Sequence, residues 1–582
     1  MLFYTLINKS GQIRFSPIPL VDMLWEDSTI IGGKLPLEVL HRSLNAIRLT
    51  KPSNNTTTSM QEFQSDLIRQ LKTVLQKNGD VRTENIVLDK PLFNMETREK
   101  YKGIFYNDDL YSAFLSGVNG RQLAEGELPY LMKHLQCDED TIKILMHKAV
   151  LIDQYEWLPA IRRSKGNWSC QRCGNMDCQE WISVYGYAAT CQECRSIGPL
   201  NSLQVIFRSP KSGHRSLFNR VEANIFHKFN FEFSHAQQKA ALELLALCEK
   251  DEVQRILVWA VCGAGKTEIS FPLIYKYLSE GKSVLFAAPR QDVVHDVQPR
   301  LQRNFPQIKV RIFSGAVTPE WEDSLLTVAT THQLLRFYKT FSLILFDEMD
   351  AYPYPGNKVL EFGLNQALQE GGRLIYLTAT PPDSLLREVK RGESEIIRLS
   401  LRHHGFPVPI PEWAKANFPD KSASLQEILK KKDSITWRKI LEELAEEGPL
   451  LVFVPRIGMV PIWTETLRGV FHEKQVEGSW SSDPYRLEKV KSFLNGNCQV
   501  FVSTSILERG ITVNRVQVAV LFADDEQYDT RALIQMAGRT GRTQAHPWGR
   551  TVFLAAKQTK AIKKALAWIQ EQNTIGERES FS

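Results

Sequence analysis

The sequence predicts an α/β fold: two tandem parallel-sheet lobes preceded by a four-cysteine zinc module and a mixed, helix-containing N-terminal region. Three observations predict it. From about residue 225, short apolar runs alternate with helical patterns, the signature of a parallel sheet covered on both faces. The alternation pauses over His403 to Asp433, a proline-rich and then lysine-rich stretch within a linker expected near 400–435, and afterwards resumes. Two Cys-x₂-Cys pairs, Cys170 with Cys173 and Cys191 with Cys194, stand seventeen residues apart.

Length and composition set the frame for these elements. A chain of 582 residues is too long for one hydrophobic core and implies about three or four units of roughly 150 residues. With 43% hydrophobic and 24% charged residues it reads as an ordinary globular protein. A net charge of +6 is only mildly basic, so contact with phosphates must come from local grooves. The N-terminus lacks the pattern of a secretion signal. No stretch reaches the ~18 to 20 apolar residues of a membrane span. The expectation is a cytoplasmic protein, at most peripheral at the inner face of the cell membrane.

Residues 1–165 form an accessory region with no chemistry that can be named. Ile142, Leu145, Met146, Val150 and Leu151 recur at helix-face spacing between Asp138 and Leu158. Ser53 to Ser59 reads as a polar surface loop. The cysteine module follows at 166–200. Five of the nine cysteines crowd there, and in a reducing compartment that distribution argues for metal over disulfides. Each Cys-x₂-Cys turn presents two thiolates, and two such turns complete a tetrahedron for Zn²⁺ with Cys170, Cys173, Cys191 and Cys194. Cys178 is a spare that either replaces Cys173 or stays free. Arg162, Arg163, Lys165, Trp168, Arg172, Trp181, Tyr185, Tyr187 and Arg195 surround the pairs. Interleaved basic and aromatic residues suit a nucleic-acid strand, and equally the core of so small a module.

The first lobe, 225–400, carries a phosphate-binding loop, AVCGAGKT at 260–267. It joins the apolar run RILVWAV to a helix read over TEISFPLIYKYL, starting at Thr267. Backbone N–H groups of such a loop surround phosphates, Lys266 reaches the β and γ oxygens of ATP, and the Thr267 hydroxyl ligates Mg²⁺. Gly263 and Gly265 allow close approach around Ala264, while Ala260 stands where the strict pattern has glycine. Asp347 and Glu348 follow the run FSLILF. Adjacent carboxylates at a strand end suit a cation, with Asp347 holding Mg²⁺ and Glu348 orienting or deprotonating the attacking water. Asp350 takes a secondary, coupling role. Gln237, in FSHAQ, is the expected adenine contact, with Gln238 as the alternative.

The second lobe, 435–570, carries QMAGRTGR at 535–542. Gln535, Arg539 and Arg542 recur at helix spacing, so one helix face could direct two guanidiniums across a cleft to the γ-phosphate. Gly538 and Gly541 weaken a mere surface helix and suggest close packing. The tail Gly576 to Ser582 is expected to be flexible.

With these motifs in place, residues 230–560 resemble a superfamily 2 DEAD/DEAH-type helicase, whose two RecA-like lobes close over ATP. The resemblance implies strand-gripping roles for Ala288, Pro289, Arg290, Thr330, Thr331, Pro455, Arg456, Ser503 and Thr504, within motifs that include STSILERG at 503–510. It implies that Thr378 and Thr380 link hydrolysis to movement. A four-cysteine module placed before such a motor resembles the ComFA family of late-competence ATPases. That family resemblance implies a single-stranded-DNA-stimulated ATPase drawing transforming DNA into the cytoplasm. It also implies partners: a ComFC-type phosphoribosyltransferase-like protein, DprA and the membrane DNA-uptake channel. The PriA family is the nearest rival, but its eight cysteines interrupt the second lobe. A zinc-dependent, nucleotide-switched adaptor and an RNA helicase remain alternatives.

Overall fold

The computed structural model describes residues 1–8, 13–25, 28–46, 69, 94–209, 229–315, 321–418, 434–504 and 513–580. The Ser53–Ser59 loop and residues 505–510 of the STSILERG motif lie outside the described residues. The accessory region opens with an antiparallel sheet of β1 (Leu2–Asn8), β2 (Ile13–Ser16) and β3 (Ser28–Pro36). Two short strands follow, β4 (Gln122–Ala124) and β5 (Glu156–Pro159). The helix expected over Asp138 to Leu158 spans Glu139–Leu151, capped by the Asp138 side chain on the Thr141 N–H. It gives way to β5.

The cysteine module consists of two antiparallel hairpins, β6 (Ile161–Ser164) with β7 (Asn167–Cys170) and β8 (Cys178–Ser183) with β9 (Gly186–Cys191). Beyond it, β10 (Val205–Arg208) returns between β4 and β5 as the central strand of a three-stranded sheet. The hairpins therefore project from a sheet whose other strands precede them in sequence. The module and the sheet it projects from also dock on the first lobe. Arg336 pairs with Glu127 and donates to the Ile197 carbonyl at 3.1 Å, and Gln122 Nε2 donates to the Leu335 carbonyl at 2.8 Å. A side chain at Gly174 would meet the Phe362 ring at 2.7 Å, so the first cysteine turn lies flat on that ring.

The first lobe is a parallel seven-stranded sheet. Its strands are β11 (Arg255–Ala260), β12 (Val284–Ala288), β13 (Val310–Phe313), β14 (Leu326–Thr330), β15 (Phe341–Asp347), β16 (Leu368–Thr378) and β17 (Glu395–Leu399). They lie side by side in the order 13-14-12-15-16-11-17. Central strands covered on both faces read as unbroken apolar runs, and every residue of β15 is buried. The second lobe is a parallel six-stranded sheet, with β18 (Glu412–Lys415), β19 (Leu450–Phe453), β20 (Val476–Ser479), β21 (Val500–Ser503), β22 (Gln517–Leu521) and β23 (Thr551–Ala555) in the order 18-23-22-19-21-20. The stretch expected as linker thus supplies an edge strand to lobe 2. Four residues between prolines give no periodicity by which to see it.

The lobes share one apolar cluster running from Leu245 and Ile274 through Leu399 and Val408 to Phe453, Met536 and Ile562. A helix over Lys560–Ser580 follows the last strand. Asn573 on it exchanges two hydrogen bonds with the backbone of Val408, at 2.9 and 2.8 Å. Gly576 on it lies against Ser400 and Leu401, where a side chain would come within 2.9 Å of Leu401 Cδ2. The tail expected to be flexible is therefore helical as far as Ser580, because its apolar face covers the hinge.

Candidate active site and metal centre

The sheets bring the first lobe's polar residues together at the carboxyl ends of adjacent strands, where open α/β sheets bind ligands. After β11 the chain turns through Gly263 and Gly265, both at φ +83°, so that successive N–H groups line a concave loop. Lys266 and Thr267 lie in the turn itself. A short 3₁₀ turn, Glu268–Ser270, separates them from the α-helix Phe271–Ser279, which corrects the expectation that this helix begins at Thr267. Pro272 at the head of that helix permits entry and no earlier turn.

Lys266 Nζ stands 3.5 Å from Asp347 Oδ1. Burial opposes its charge, but Asp347 and Glu348, then Cys262 and Asp350, outweigh burial and raise its pKa. An ammonium fixed beside two carboxylates matches a site for a phosphate chain and a divalent cation. Glu348 has φ +53°, a conformation that costs a non-glycine residue about 1–3 kcal/mol. Its N–H donates to the Leu377 carbonyl at 3.1 Å and to Asp347 Oδ1 at 2.8 Å, which holds the acid at the strand end. Asp350 accepts from the Thr378 hydroxyl at 2.9 Å and the Thr380 hydroxyl at 2.6 Å, so the acidic motif and the TAT motif form one network.

Gln237 is buried, whereas Gln238 is exposed. Its Oε1 accepts from the Ser234 N–H at 2.9 Å and its Nε2 donates to the Ala264 carbonyl at 2.9 Å. The amide thus caps its own helix and braces the phosphate loop from behind; Ala264 and the buried Ala260 complete that loop.

In lobe 2 the helix carrying Gln535 spans Thr530–Ala537 and ends at Gly538. Arg539 and Arg542 therefore lie in the turn beyond it, not on one helix face as expected. Gly538 stops the helix and Gly541, at φ +62°, turns the chain back. The arginines still face lobe 1. Cys262 Sγ of the phosphate loop lies 3.3 Å from Gln535 Oε1, a contact between residues 273 positions apart in sequence. Gly538 packs directly on Cys262. Arg539 is buried, and the Arg542 guanidinium, its pKa lowered first by burial, lies in the field of Cys262, Glu348 and Asp296. A second interlobe tie is the ion pair between Arg486 and Asp292.

The strand-gripping candidates stand along the same edges: Ala288 ends β12, Thr330 ends β14, and Ser503 ends β21. Pro289, Thr331, Pro455 and Thr504 are buried beside them, and Arg290 follows β12. Arg456 lies half-exposed near Asp525 and Glu526, at 3.9 Å from each.

In the cysteine module, the Sγ atoms of Cys170, Cys173, Cys191 and Cys194 all lie within 4.8 Å of one another and are buried. Cys170 and Cys194 are 3.7 Å apart, Cys173 and Cys191 3.5 Å. A tetrahedral site with Zn–S bonds of about 2.3 Å has edges of about 3.8 Å, so the four sulfurs fit a structural zinc ion. Cys178 is not among them: it pairs in register with Cys191 across the hairpin, and burial pushes its thiol up to about 12. Arg172, one of the basic residues noted around the pairs, donates from Nε to Cys194 Sγ at 3.4 Å. Trp168 is part of the module's core, whereas Trp181 and Tyr187 are partly exposed.

Sequence reasoning also missed Arg402, His403 and His404. They sit in a stretch read as a spacer, with no motif to mark them. In the structure they touch both the phosphate loop and the arginine turn.

Two parallel-sheet lobes facing each other across a phosphate loop define a helicase-type ATP-hydrolysing enzyme. Residues 230–383 match the family model for the type III restriction enzyme res subunit, and residues 433–544 that of the helicase conserved C-terminal domain. The chain is 32% identical over 420 residues to competence protein ComFA of Bacillus subtilis strain 168, covering 72% of this chain and 88% of that one. With ComFA of Streptococcus pneumoniae R6 it is 33% identical over 425 residues, covering 72% and 93%. The ATP-dependent DNA helicase RecG of Bacillus subtilis is 22% identical over 381 residues, covering 63% and 54%. The chain belongs to the ComFA family of competence proteins. Among the described residues, no helix is long and apolar enough to cross a membrane.

Proposed function

We propose that this protein is a single-stranded-DNA-stimulated ATPase that translocates along the strand and so drives uptake of transforming DNA. The observation that carries the reading is the approach of the Cys262 loop to Gln535, with Arg542 in the field of Glu348. Hydrolysis by such a constellation needs groups from both lobes at once, so each turnover is tied to lobe movement.

On this reading Lys266 holds the β and γ oxygens and Thr267 and Asp347 hold the cation. Glu348 orients the attacking water and takes its proton, while Arg539 and Arg542 neutralise charge that develops on the transferred group. Gln237, Ala260, Gly263, Ala264, Gly265 and Gln535 shape the pocket. Magnesium, when bound by these residues, would supply charge neutralisation at the phosphates. Asp350, bonded to Thr378 and Thr380, passes the state of the acidic motif to the segment between the lobes. The strand-end residues of both lobes bind backbone phosphates without reading bases. The module at Cys170–Cys194, holding zinc, presents Trp181 and Tyr187 to bases. On the same reading the enzyme works at the inner membrane face with a ComFC-type protein, DprA and the uptake channel as partners, which pull-down with each purified protein would check.

The deciding experiment measures phosphate release with single-stranded DNA, duplex and RNA side by side. Stimulation is expected with single-stranded DNA. Preferential stimulation by RNA would make the protein an RNA motor, and near-zero turnover regardless of strand would make it a nucleotide-switched adaptor.

A further inference from the structure

Three consecutive residues just beyond β17 bridge the two halves of the cleft. The His403 backbone N–H and the His403 ring Nδ1 both meet the Gly263 carbonyl of the phosphate loop, at 3.3 and 3.0 Å. The ring Nε2 of His404 meets the Gly541 carbonyl of the arginine turn at 3.0 Å. Between them Arg402 Nη1 donates to the Thr540 carbonyl at 2.8 Å and also to the Gly541 carbonyl.

Arg402 is only 1% exposed, yet its Nε and Nη2 have no hydrogen-bond partner, and among the described residues it forms no ion pair. A side chain at Gly263 would come 3.7 Å from Nε, so these idle donors lie against the phosphate loop. Burial first, and then the neighbouring Arg542, lower its pKa to about 10, which still leaves a cation at neutral pH. A buried guanidinium with two free donors and no carboxylate is costly unless an anion reaches it. The anion this cleft is shaped to admit is a nucleotide phosphate.

We infer that Arg402 is a positioning residue that senses the nucleotide: its Nη1 holds the Thr540–Gly541 backbone of lobe 2, and its charge is balanced only when a phosphate chain occupies the loop at Gly263. The inference rests on the ATPase reading and deepens it. Binding of ATP would then tighten the strap and seat Arg539 and Arg542, whereas departure of phosphate would leave the guanidinium uncompensated and loosen the lobes.

The test uses the full-length Glu348→Gln protein, in which bound ATP persists, with and without Arg402→Met, followed by thermal melting with and without MgATP. Without nucleotide, Arg402→Met should melt within about two degrees of its parent, because a poorly compensated buried charge has been removed. The MgATP-induced rise should fall to less than half, since ligand stabilisation follows occupancy. A full MgATP rise in Arg402→Met would overturn the inference, as would a large drop in the nucleotide-free melt with the rise intact, the mark of a merely structural residue. Should the methionine variant not fold, Arg402→Lys in the otherwise native protein should lower kcat about tenfold with KM for ATP little changed; native kcat would sink the idea. Absence of any MgATP rise in the Glu348→Gln parent would remove the nucleotide reading itself, and this inference with it.

Discussion

The cysteine module gathers its four sulfurs from the single span Cys170–Cys194, whereas the cleft gathers its polar groups from segments as far apart as Gln237 and Arg542. In the module, four groups that would repel as thiolates face one another, so a metal ion bound there would complete the fold. In the cleft, strand ends, two left-handed glycines and a helix cap already hold each group in place. Metal should therefore be a matter of stability in one region, and nucleotide a matter of chemistry in the other. Variants that separate structure from turnover can break or sharpen that contrast.

The largest effect belongs to the module. Stripping zinc, or Cys170→Ala, should forfeit on the order of 10 kcal/mol of metal-linked folding energy. One zinc per chain should be found in the native protein, and proteolysis should open within 166–200 after stripping. Strand-free ATP turnover should persist; its collapse would show that module and cleft fold as one unit. In the cleft the expectation reverses. Arg542→Ala should lower kcat about 10³-fold while the melting temperature stays put, and an unchanged kcat in a phosphate-release assay would exclude this arginine from the reaction. Lys266→Ala and Glu348→Gln should likewise stop hydrolysis in folded protein.

A smaller effect is expected at the coupling network. Asp350→Asn leaves one oxygen where two hydroxyls now donate, a loss of about 1–3 kcal/mol. DNA-stimulated turnover should suffer more than strand-free turnover, and equal losses in both would make Asp350 a mere fold contact. The smallest effect is acid sensitivity at the strap. Burial lowers His404 to about 4, although the Gly541 carbonyl favours its charged form. Between that value and its unfolded value near 6.5 the unfolded chain binds more protons, so stability is full above about pH 6.5 and is lost as pH falls towards 4. Partial exposure limits the loss to about 1 kcal/mol. A melt of His404→Gln with an undiminished slope over that range would assign the effect elsewhere.

Both lobes and the four-cysteine cluster were legible in the sequence because their signals are local. β15 is an unbroken apolar run ending in acids, and the cysteine pairs carry their own spacing. Less visible was anything set by tertiary packing. The arginines were placed on a helix that Gly538 ends, and β18 was hidden between prolines in the presumed linker. Arg402 gave no sign because its two neighbours are 139 residues behind and 138 ahead: Gly263 and Thr540 meet only after both sheets have formed. Cys178 could not be told from Cys173 by spacing alone; in the fold it lies across the hairpin from Cys191, beside the group of four sulfurs and not within it.

The brace between Val408 and Asn573 carries a lesson about synthesis. Both sheets leave the ribosome before residue 573 does, and domains fold largely in the order they emerge. A nascent chain can thus complete each half independently while the hinge is still loose. The Lys560–Ser580 helix then adds its clasp to the ties made by Arg486 with Asp292 and by Cys262 with Gln535, so the alignment of the halves is secured after each has folded.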